Sequence, residues 1–332
     1  MSADFWRDRP VLVTGGTGLL GSWLVATLVE RGARIVMMVR DRVPDALVYT
    51  SGAADRCVEV RGDVADGETI ERALAEYEID AVFHLAARTI VGHAYVDPRG
   101  TFRSNIQGTW ELLDACRRNG GVGRIVVASS DKAYGSQAQL PYQEDQPLIG
   151  RHPYDVSKSC TDLIAQSYGL TYDLPVTVTR CGNLFGGGDL NFNRLIPGTI
   201  RWALAGERPI LRSDGTPLRD WLYVEDAVDA YLTTAERGHE PALHGEAFNF
   251  STESPMNALE VTHKVLEACG RPDIEPDIQA TAQHEIQDQF LASTKAREVL
   301  DWQPRYGFDE GIGRTISWYR QYLEQDTAAP IG

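Results

Sequence analysis

The chain has 332 residues, of which 43% are hydrophobic and 24% are charged. A chain of this length is expected to form two domains or one large α/β domain. Its 32 Lys and Arg residues against 47 Asp and Glu residues give a formal charge of −15. This balance argues against a nucleic-acid partner or an acidic membrane, because it creates no strong phosphate-attracting field. No apolar run approaches the ~20 residues that span a bilayer.

The cysteines are five in number, widely scattered, and contain no CxxC pair. Such spacing predicts neither a disulfide framework nor a zinc site, so we expect no bound metal. The first nine residues are rich in charge, and glycines soon interrupt the apolar stretch that follows. We therefore expect no signal peptide and a reduced, cytoplasmic protein.

Short apolar runs alternate with helical patterns in the first half of the chain. Four of these runs are Pro10–Thr14, residues 35–39, residues 81–85 and Arg124–Ala128, and residues 21–31 show helical spacing. Near-continuous β-branched runs separated by helices indicate a parallel sheet covered on both faces. Right-handed crossovers then predict an α/β, doubly wound Rossmann fold.

The pattern changes after about residue 180, where loops rich in glycine and asparagine appear. We predict helices over Leu195–Ala205 and residues 220–235, and a returning strand at Ala247–Phe250. The sequence therefore predicts a Rossmann domain with a smaller, discontinuous C-terminal substrate domain. The predicted limits are residues 1–180 with about 221–252 for the first domain, and residues 181–220 with 253–332 for the second.

Residues 13–21 read VTGGTGLLG and lie between the first predicted strand and helix. In such a motif the first glycines permit a tight turn, Gly18 admits a pyrophosphate, and Gly21 lets the helix pack on the strand. The pyrophosphate would bind unsatisfied N–H groups at the helix start. The alternative is a glycine-rich turn without a ligand. The predicted dinucleotide-binding residues here are Gly15, Thr17, Gly18, Leu19, Leu20 and Gly21.

Arg40 and Asp41 follow the second strand, where the adenosine ribose would lie. A carboxylate favours the free 2′-hydroxyl of NAD and a guanidinium the 2′-phosphate of NADP, so the sequence leaves the choice open. Asp63 follows a third apolar run at residues 57–60. It would accept a hydrogen bond from the adenine amino group, or it is an ordinary turn aspartate.

Tyr154 and Lys158 are four residues apart at a predicted helix start and therefore share one helix face. Tyrosine has a pKa near ~10 and is a poor base at neutral pH. A neighbouring ammonium and a positive nicotinamide stabilise the phenolate. The Tyr-x-x-x-Lys pattern is weak alone, but Ser130 at the end of the strand Arg124–Ala128 strengthens it. Ser130 would hydrogen-bond the reacting oxygen while Tyr154 takes its proton.

With these motifs the chain resembles the extended short-chain dehydrogenase/reductase family over essentially its whole length. The resemblance implies a tightly bound NAD or NADP, a C-terminal sugar-nucleotide domain and a homodimer. It also implies cofactor contacts at Val64, Leu85, Ala86, Ala87, Asn105 and Cys181. The matching segments are residues 14–21, Asp63-Val64, residues 84–87, Asn105, Ser129-Ser130, Tyr154 with Lys158, and residues 219–226.

Residues 129–135 read SSDKAYG and are the most informative segment within the family. Sugar-nucleotide 4,6-dehydratases carry an acid directly after the triad serine, whereas epimerases usually have small neutral residues there. Asp131-Lys132 is most similar to CDP-glucose 4,6-dehydratases, and His284-Glu285 supports the same branch. The resemblance thus implies conversion of a nucleoside-diphosphate hexose to its 4-keto-6-deoxy form with internal recycling of the cofactor.

The resemblance also implies catalytic roles for this segment. Tyr154 would remove the C4 hydroxyl proton during oxidation, and Asp131 would protonate the departing C6 hydroxyl. Lys132 would either take the C5 proton or orient Asp131 and stabilise the enolate. The alternatives are a 4-epimerase, in which Asp131-Lys132 is a solvated loop pair, and a non-catalytic dinucleotide-binding protein.

Substrate contacts are implied by family position alone. Asn183 and Arg219 are expected on the diphosphate, since the planar arginine fork suits bidentate bonds. Arg194 and Leu195 are expected near the nucleotide base, and His93 on a loop facing the sugar. Each arginine is otherwise a surface or inter-domain residue, and the histidine a structural one. The base and the hexose stay open.

Overall fold

The computed structural model describes residues 5–281 and 286–328, so His284 and Glu285 lie outside the described residues. Strands are numbered here in chain order. They are β1 Pro10–Thr14, β2 Arg34–Val39, β3 Cys57–Arg61, β4 Ala81–His84, β5 Arg124–Ala128, β6 Val176–Cys181, β7 Asn183–Phe185, β8 Ile210–Leu211, β9 Leu218–Arg219, β10 Trp221–Tyr223, β11 Ala247–Phe250, β12 Met256–Asn257, β13 Asp277–Ile278 and β14 Asp288–Gln289.

Helices surround these strands in the described part of the chain. A π turn covers Arg103–Gln107 and a 3₁₀ turn covers Asp131–Tyr134. The α-helices are α1 Leu19–Glu30, α2 Leu47–Thr50, α3 Gly67–Glu76, α4 Val91–Val96, α5 Pro98–Phe102, α6 Gly108–Asn119, α7 Pro153–Tyr172, α8 Leu195–Ala205, α9 Val224–Arg237, α10 Ala258–Ala268, α11 Thr294–Leu300 and α12 Phe308–Ala328.

Seven strands form one central sheet in the order β11-β6-β5-β4-β1-β2-β3. All neighbours in it pair in parallel. The strand order reverses between β1 and β4, and the carboxyl ends of the strands at such a switch point form a ligand crevice. The predicted doubly wound Rossmann fold is therefore confirmed.

Side chains alternate between the two faces of this sheet, as strand geometry requires. Val11 and Val13 pack with helices α1 and α9 in one apolar cluster, while Leu12 packs with α3 and α6 in another. Both faces are thus buried, which explains why the strands read as continuous apolar runs.

A third apolar cluster lies in the C-terminal part and joins helices α8, α10 and α12. Its members include Ile196, Ile200, Val261, Val265 and Ile312. Short strands flank these helices as the pairs β7·β10 and β8·β13 and the three-stranded group β12-β9-β14. The domain limits stay a prediction. None of the helices formed by residues 5–281 and 286–328 has the length and apolar character to cross a membrane.

The predicted helix over residues 220–235 is wrong at its start. Trp221–Tyr223 is the strand β10, and the helix begins only at Val224. Bulky aromatic residues favour a strand, and here all three residues are buried beside β7. Glu225 and Asp226 occupy the first helical turn, where carboxylates are stabilised by the helix dipole.

A buried ion pair ties helix α7 to strand β6. Arg180 Nε lies 2.8 Å from Asp162 Oδ2, and its Nη2 lies 2.9 Å from Oδ1. Both side chains are at most 1% exposed. A third guanidinium hydrogen bond, from Nη1, reaches the Tyr134 hydroxyl at 2.6 Å. The ion pair therefore joins helix α7 to strand β6, and through Tyr134 it also holds the 3₁₀ turn Asp131–Tyr134 in place.

We expect Asp162→Ala to lower the free energy of unfolding by about 3–5 kcal/mol, because it leaves a buried guanidinium without its counter-ion. Urea unfolding measures this loss. Asp114→Ala is the matched control, since it removes a carboxylate that pairs with the half-exposed Arg117 and Arg118. This control should change stability by less than about 1 kcal/mol. Equal losses of stability in the two variants would show that the buried pair contributes no more to the free energy of unfolding than the exposed pairs do.

Candidate active site

Three glycines of the turn between β1 and α1 differ in their steric surroundings. Gly15 has φ +75°, and a Cβ there would lie 2.7 Å from the Ala86 nitrogen. A Cβ at Gly21 would lie 2.1 Å from the Gly15 oxygen. At Gly18 the nearest atom would be 3.5 Å away, and the position is exposed. Gly15 and Gly21 are thus required by packing, while Gly18 leaves open space beside the helix start.

That open space suits a pyrophosphate. Gly18 is the N-cap of α1 and provides no side-chain cap, so the first N–H groups of the helix keep their capacity to bind an anion. Thr17 and Leu19 lie on the same turn and are half-buried. Leu20 instead packs against the apolar clusters on both sides of α1. The residues present fit a dinucleotide at this turn.

The next strand ends carry the predicted adenosine contacts. Arg40 Nε lies 2.6 Å from Asp41 Oδ2, and both side chains are at least half exposed. Asp63 accepts a hydrogen bond from the Ala65 nitrogen at 3.0 Å, which is the contact of a turn aspartate. Val64 is buried beneath it. The adenine contact of Asp63 stays a prediction.

A buried polar chain runs behind the crevice and centres on His84. Its Nδ1 lies 2.9 Å from Thr14 Oγ1 and its Nε2 lies 3.3 Å from Thr109 Oγ1. Thr14 Oγ1 in turn accepts from the Ala86 nitrogen at 3.2 Å. Burial, reinforced by the charge of Lys158, lowers the pKa of His84 to about 3. The ring is therefore a neutral bridge between β1, β4 and α6, a role the sequence motif did not reveal.

Asn105 lies in the π turn Arg103–Gln107, a distortion that occurs frequently at functional sites. Its Oδ1 accepts from the Arg88 nitrogen at 2.7 Å. Its amide nitrogen donates to the Arg88 oxygen at 3.2 Å and to Ser157 Oγ at 2.9 Å. Ser157 Oγ donates to the Tyr154 carbonyl at 2.7 Å. One amide hydrogen of Asn105 thus supports the start of α7, and the other holds the loop at Arg88.

Leu85, Ala86 and Ala87 follow β4 and are half-buried, and Cys181 is buried at the end of β6. Burial raises the pKa of the Cys181 thiol. Leu85 to Ala87 and Cys181 thus lie at carboxyl ends of strands in the central sheet, at the edge where the crevice opens.

The structure brings Ser130, Tyr154 and Lys158 together. Lys158 is 4% exposed, its Nζ donates to the Ala128 carbonyl at 2.8 Å, and burial lowers its pKa to about 8. Burial and the charge of Asp131 raise the pKa of Tyr154, while a hydrogen bond with Ser130 opposes that rise. A phenol, an ammonium and a hydroxyl thus converge at the carboxyl end of β5.

Asp131 lies in the site and not in solvent. It is 4% exposed, and its Oδ1 accepts from Ser130 Oγ at 2.9 Å. Burial raises its pKa, while the charge of Lys132 and the bond from Ser130 oppose the rise. Ser130 Oγ also accepts from the Lys132 nitrogen at 3.2 Å. The same hydroxyl therefore contacts both the carboxyl group and the phenol.

A second stripe of helix α7 holds the turn that carries Asp131. Asp155, Ser159 and Asp162 follow one another at spacings of four and three and so share a face. Ser159 Oγ donates to the Ala133 carbonyl at 2.8 Å, and Asp162 acts through Arg180. Burial raises the pKa of Asp155, and the charge of Lys132 opposes this rise. These three supporting residues were missed, although their spacing was visible in the sequence.

The predicted substrate residues lie in different surroundings. The Arg219 guanidinium donates to the carbonyls of residues 218, 286 and 287. Arg194 Nη1 lies 2.8 Å from Asp189 Oδ2, and its charge opposes the raised pKa of Tyr154. Asn183 and Leu195 are half-buried. His93 is exposed on helix α4, so its predicted place on a loop is wrong. No cluster of three metal-ligating side chains occurs within residues 5–281 and 286–328.

The Rossmann sheet and the serine, tyrosine and lysine at its edge define a short-chain dehydrogenase/reductase. Residues 12–315 match the family model described as GDP-mannose 4,6 dehydratase. The chain belongs to this family, and the predicted membership of the extended branch and the predicted enzyme class are confirmed.

Similar proteins include dehydratases and an epimerase. The CDP-glucose 4,6-dehydratase of Salmonella typhimurium is 29% identical over 96% of this chain and 93% of that protein. The dTDP-glucose 4,6-dehydratase of Streptomyces antibioticus is 36% identical over 93% and 92%. The solved dTDP-glucose 4,6-dehydratase of Bacillus anthracis in complex with NAD has a TM-score of 0.83, with 28% identity over 95% of this chain and 98% of that one. The UDP-glucose 4-epimerase of Thermotoga maritima with UDP-glucose has a TM-score of 0.86, with 27% identity over 95% and 99%.

The burial of Lys158 gives a prediction for the pH dependence of stability. Its pKa is about 8 in the folded state and near 10.5 when exposed. Between these values the unfolded chain holds a proton that the folded chain has released, so this residue makes stability rise with pH. Below pH 8 its charge opposes folding in full. Lys158→Met should therefore gain stability relative to the native chain at pH 7 and lose that gain as pH approaches 10.5.

Urea unfolding of both proteins at several pH values measures this difference. The lost hydrogen bond to Ala128 adds an offset that does not vary with pH, so the slope of the difference is the test. If the stability difference between the two proteins is constant from pH 7 to 10.5, burial does not lower the pKa of Lys158.

Proposed function

We propose that the protein is a nucleoside-diphosphate-hexose 4,6-dehydratase, with CDP-glucose as the first candidate substrate. The observation that carries this proposal is the buried carboxyl group of Asp131 beside Ser130 and Tyr154. An epimerase needs the oxidising triad alone. A carboxyl group held in the same site adds the acid that elimination of water requires.

The proposed cofactor is a tightly bound nicotinamide dinucleotide whose pyrophosphate lies at the Gly18 turn. It supplies the hydride acceptor and, when oxidised, a positive charge that opposes the raised pKa of Tyr154. We favour NAD over NADP, because Asp41 already neutralises Arg40, the arginine expected to read a 2′-phosphate. The NAD found with the Bacillus anthracis relative agrees with this choice.

In the proposed first half of the reaction, Tyr154 removes the proton of the C4 hydroxyl as hydride leaves C4. Ser130 holds the same oxygen through its hydroxyl. Lys158 lies one helical turn after Tyr154 with its ammonium bound to the Ala128 carbonyl, and the Asn105 and Ser157 hydrogen bonds keep the start of α7 in place. These residues orient the hydroxyl and carry its proton.

In the proposed second half, the C4 ketone makes the C5 proton acidic. Asp131 gives a proton to the departing C6 hydroxyl, and burial supports this role because it raises the pKa of the carboxyl group and so favours its protonated form. Lys132 takes the C5 proton and, as the resulting ammonium, stabilises the enolate and orients Asp131. As hydride returns to C6 this proton returns to C5, so the sugar undergoes no net oxidation.

We propose that residues 181–220 and 253–332 form the substrate part, and that Asn183 and Arg219 bind the diphosphate. Arg219 uses three of its five N–H donors on backbone carbonyls, which leaves two for phosphate oxygens. Arg194 and Leu195 lie at the start of α8 and would contact the nucleotide. His93 on α4 would face the sugar.

Incubation with CDP-, dTDP-, UDP- and GDP-glucose tests the activity. We expect a 4-keto-6-deoxy product with one of them, detected as the loss of one water by mass spectrometry. An unchanged mass with inversion at C4 would establish an epimerase instead.

Asp131→Asn should keep oxidation at C4 within about threefold and slow elimination by about 10²–10⁴-fold, because the amide cannot donate the required proton. Stopped-flow absorbance of the reduced cofactor follows the first step, and product mass follows the second. Equal slowing of both steps would show that Asp131 only supports the site.

We also propose that the protein is a homodimer through helices α6 and α7, which pack against each other. Leu163 and Leu170 are seven residues apart on one face of α7 and are 53% and 74% exposed. Trp110 on α6 and Tyr172 on α7 are also exposed. Apolar exposure on adjacent helices is typical of a covered interface.

Leu163→Glu combined with Leu170→Glu should shift the protein from dimer to monomer, because a carboxylate buried at an interface is costly. Sedimentation velocity measures the change. Ile278→Glu places the same charge at another exposed apolar position, on β13, and should leave the mass unaltered. A native chain that sediments as a monomer would refute the proposed dimer.

A further inference from the structure

Gln289 is a buried amide that contacts the catalytic turn from the C-terminal part of the chain. It lies on β14 and is 0% exposed. Its Nε2 donates to the Asp131 carbonyl at 3.0 Å. Its Oε1 accepts a hydrogen bond from Lys132 Nζ. One side chain therefore binds two consecutive residues of the turn Asp131–Tyr134.

The backbone around Gln289 is fixed on both sides. Strand β14 pairs with β9, which carries Arg219. The oxygen of Phe290 accepts from the Tyr142 nitrogen at 2.9 Å, and the Leu291 nitrogen donates to Asp220 Oδ2 at 2.6 Å. Gln289 therefore has little freedom to move, and its amide sets where the lysine head group lies.

Two carboxyl groups act on the same lysine. The charge of Lys132 opposes the raised pKa of both Asp131 and Asp155, so the ammonium lies within the field of each. A lysine has a flexible four-carbon stem and a point charge, so its direction depends on the acceptors around it. Among these acceptors, the fixed oxygen of Gln289 favours one orientation of the Lys132 side chain.

We propose that Gln289 is a positioning residue for the elimination half of the reaction. It holds the Lys132 ammonium and the Asp131 backbone in the arrangement from which the C6 hydroxyl is protonated and the enolate stabilised. The inference rests on the proposed dehydratase function. The hydrogen bonds of Gln289 go to Asp131 and Lys132, whereas oxidation at C4 depends on Ser130, Tyr154 and Lys158, so the oxidation half should be spared.

Gln289→Met tests this by keeping the length of the side chain while removing both polar atoms. We expect the rate of C4 oxidation to stay within about threefold and elimination to slow about 10- to 100-fold, the usual effect of a small misplacement of a catalytic group. Reduced cofactor should then accumulate in stopped-flow traces with the substrate that the native enzyme dehydrates.

Gln289→Glu provides a rescue of the lysine contact, because it keeps an acceptor for Lys132, whose charge balances the added carboxylate, while it loses the donor to Asp131. It should recover most of the elimination rate lost in Gln289→Met. The control is Gln279→Met, at an exposed glutamine in the same part of the chain, which should behave as the native enzyme. Melting temperatures of all variants separate loss of folding from loss of positioning.

The outcomes distinguish this inference from the proposed function. If the native enzyme dehydrates its substrate and Gln289→Met slows both steps equally, Gln289 is structural and only the inference fails. Unchanged elimination in Gln289→Met, or no recovery in Gln289→Glu when both fold, also overturns it. If the native enzyme forms no dehydrated product from any of the four sugar nucleotides, the proposed function and the inference fail together.

Discussion

Helix α7 fixes the geometry of the whole site, because two adjacent stripes of its surface serve two different groups of residues. Tyr154 and Lys158 lie on the stripe that faces the end of β5. Asp155, Ser159 and Asp162 lie on the next stripe and hold the turn that begins at Asp131. A helix is rigid over this length, so the spacing between these two stripes is set by helical geometry.

Burial is the main electrostatic influence throughout this arrangement. It lowers the pKa of Lys158 and His84 and raises the pKa of Asp131 and Tyr154. Each of these shifts means that the charged form opposes folding. Hydrogen-bonded chains and the ion pair of Arg180 offset this opposition, since every buried polar group that finds a partner avoids a large desolvation penalty. The buried site residues by themselves lower the stability of the fold, and the hydrogen bonds and the ion pair around them compensate for this.

Local patterns in the sequence predict a large part of this structure. Continuous apolar runs give the strands Pro10–Thr14 and Arg124–Ala128 with their observed limits, because a strand covered on both faces needs apolar side chains at successive positions. The helix predicted from residue 220 begins only at Val224, because the strand before it has three residues, too few to show the alternating pattern of a strand. Gln289 could not be found at all, since it lies 157 residues from Lys132 along the chain. Contacts of this kind depend on the tertiary fold, and no spacing rule describes them.

Epimerisation and dehydration on this fold would be distinguished by a small region of the molecule. An epimerase and a dehydratase both resemble this chain closely, so the sheet and the oxidising residues do not separate the two activities. In the proposed mechanism the difference lies in the short turn after β5 and in the groups that hold it. That turn has only four residues and would have little stability by itself, so its arrangement depends on α7 from one side and on β14 from the other. A change of reaction on this scaffold therefore requires changes in distant supporting residues as well as in the acid itself, because an acid without its support would not stay directed at the substrate.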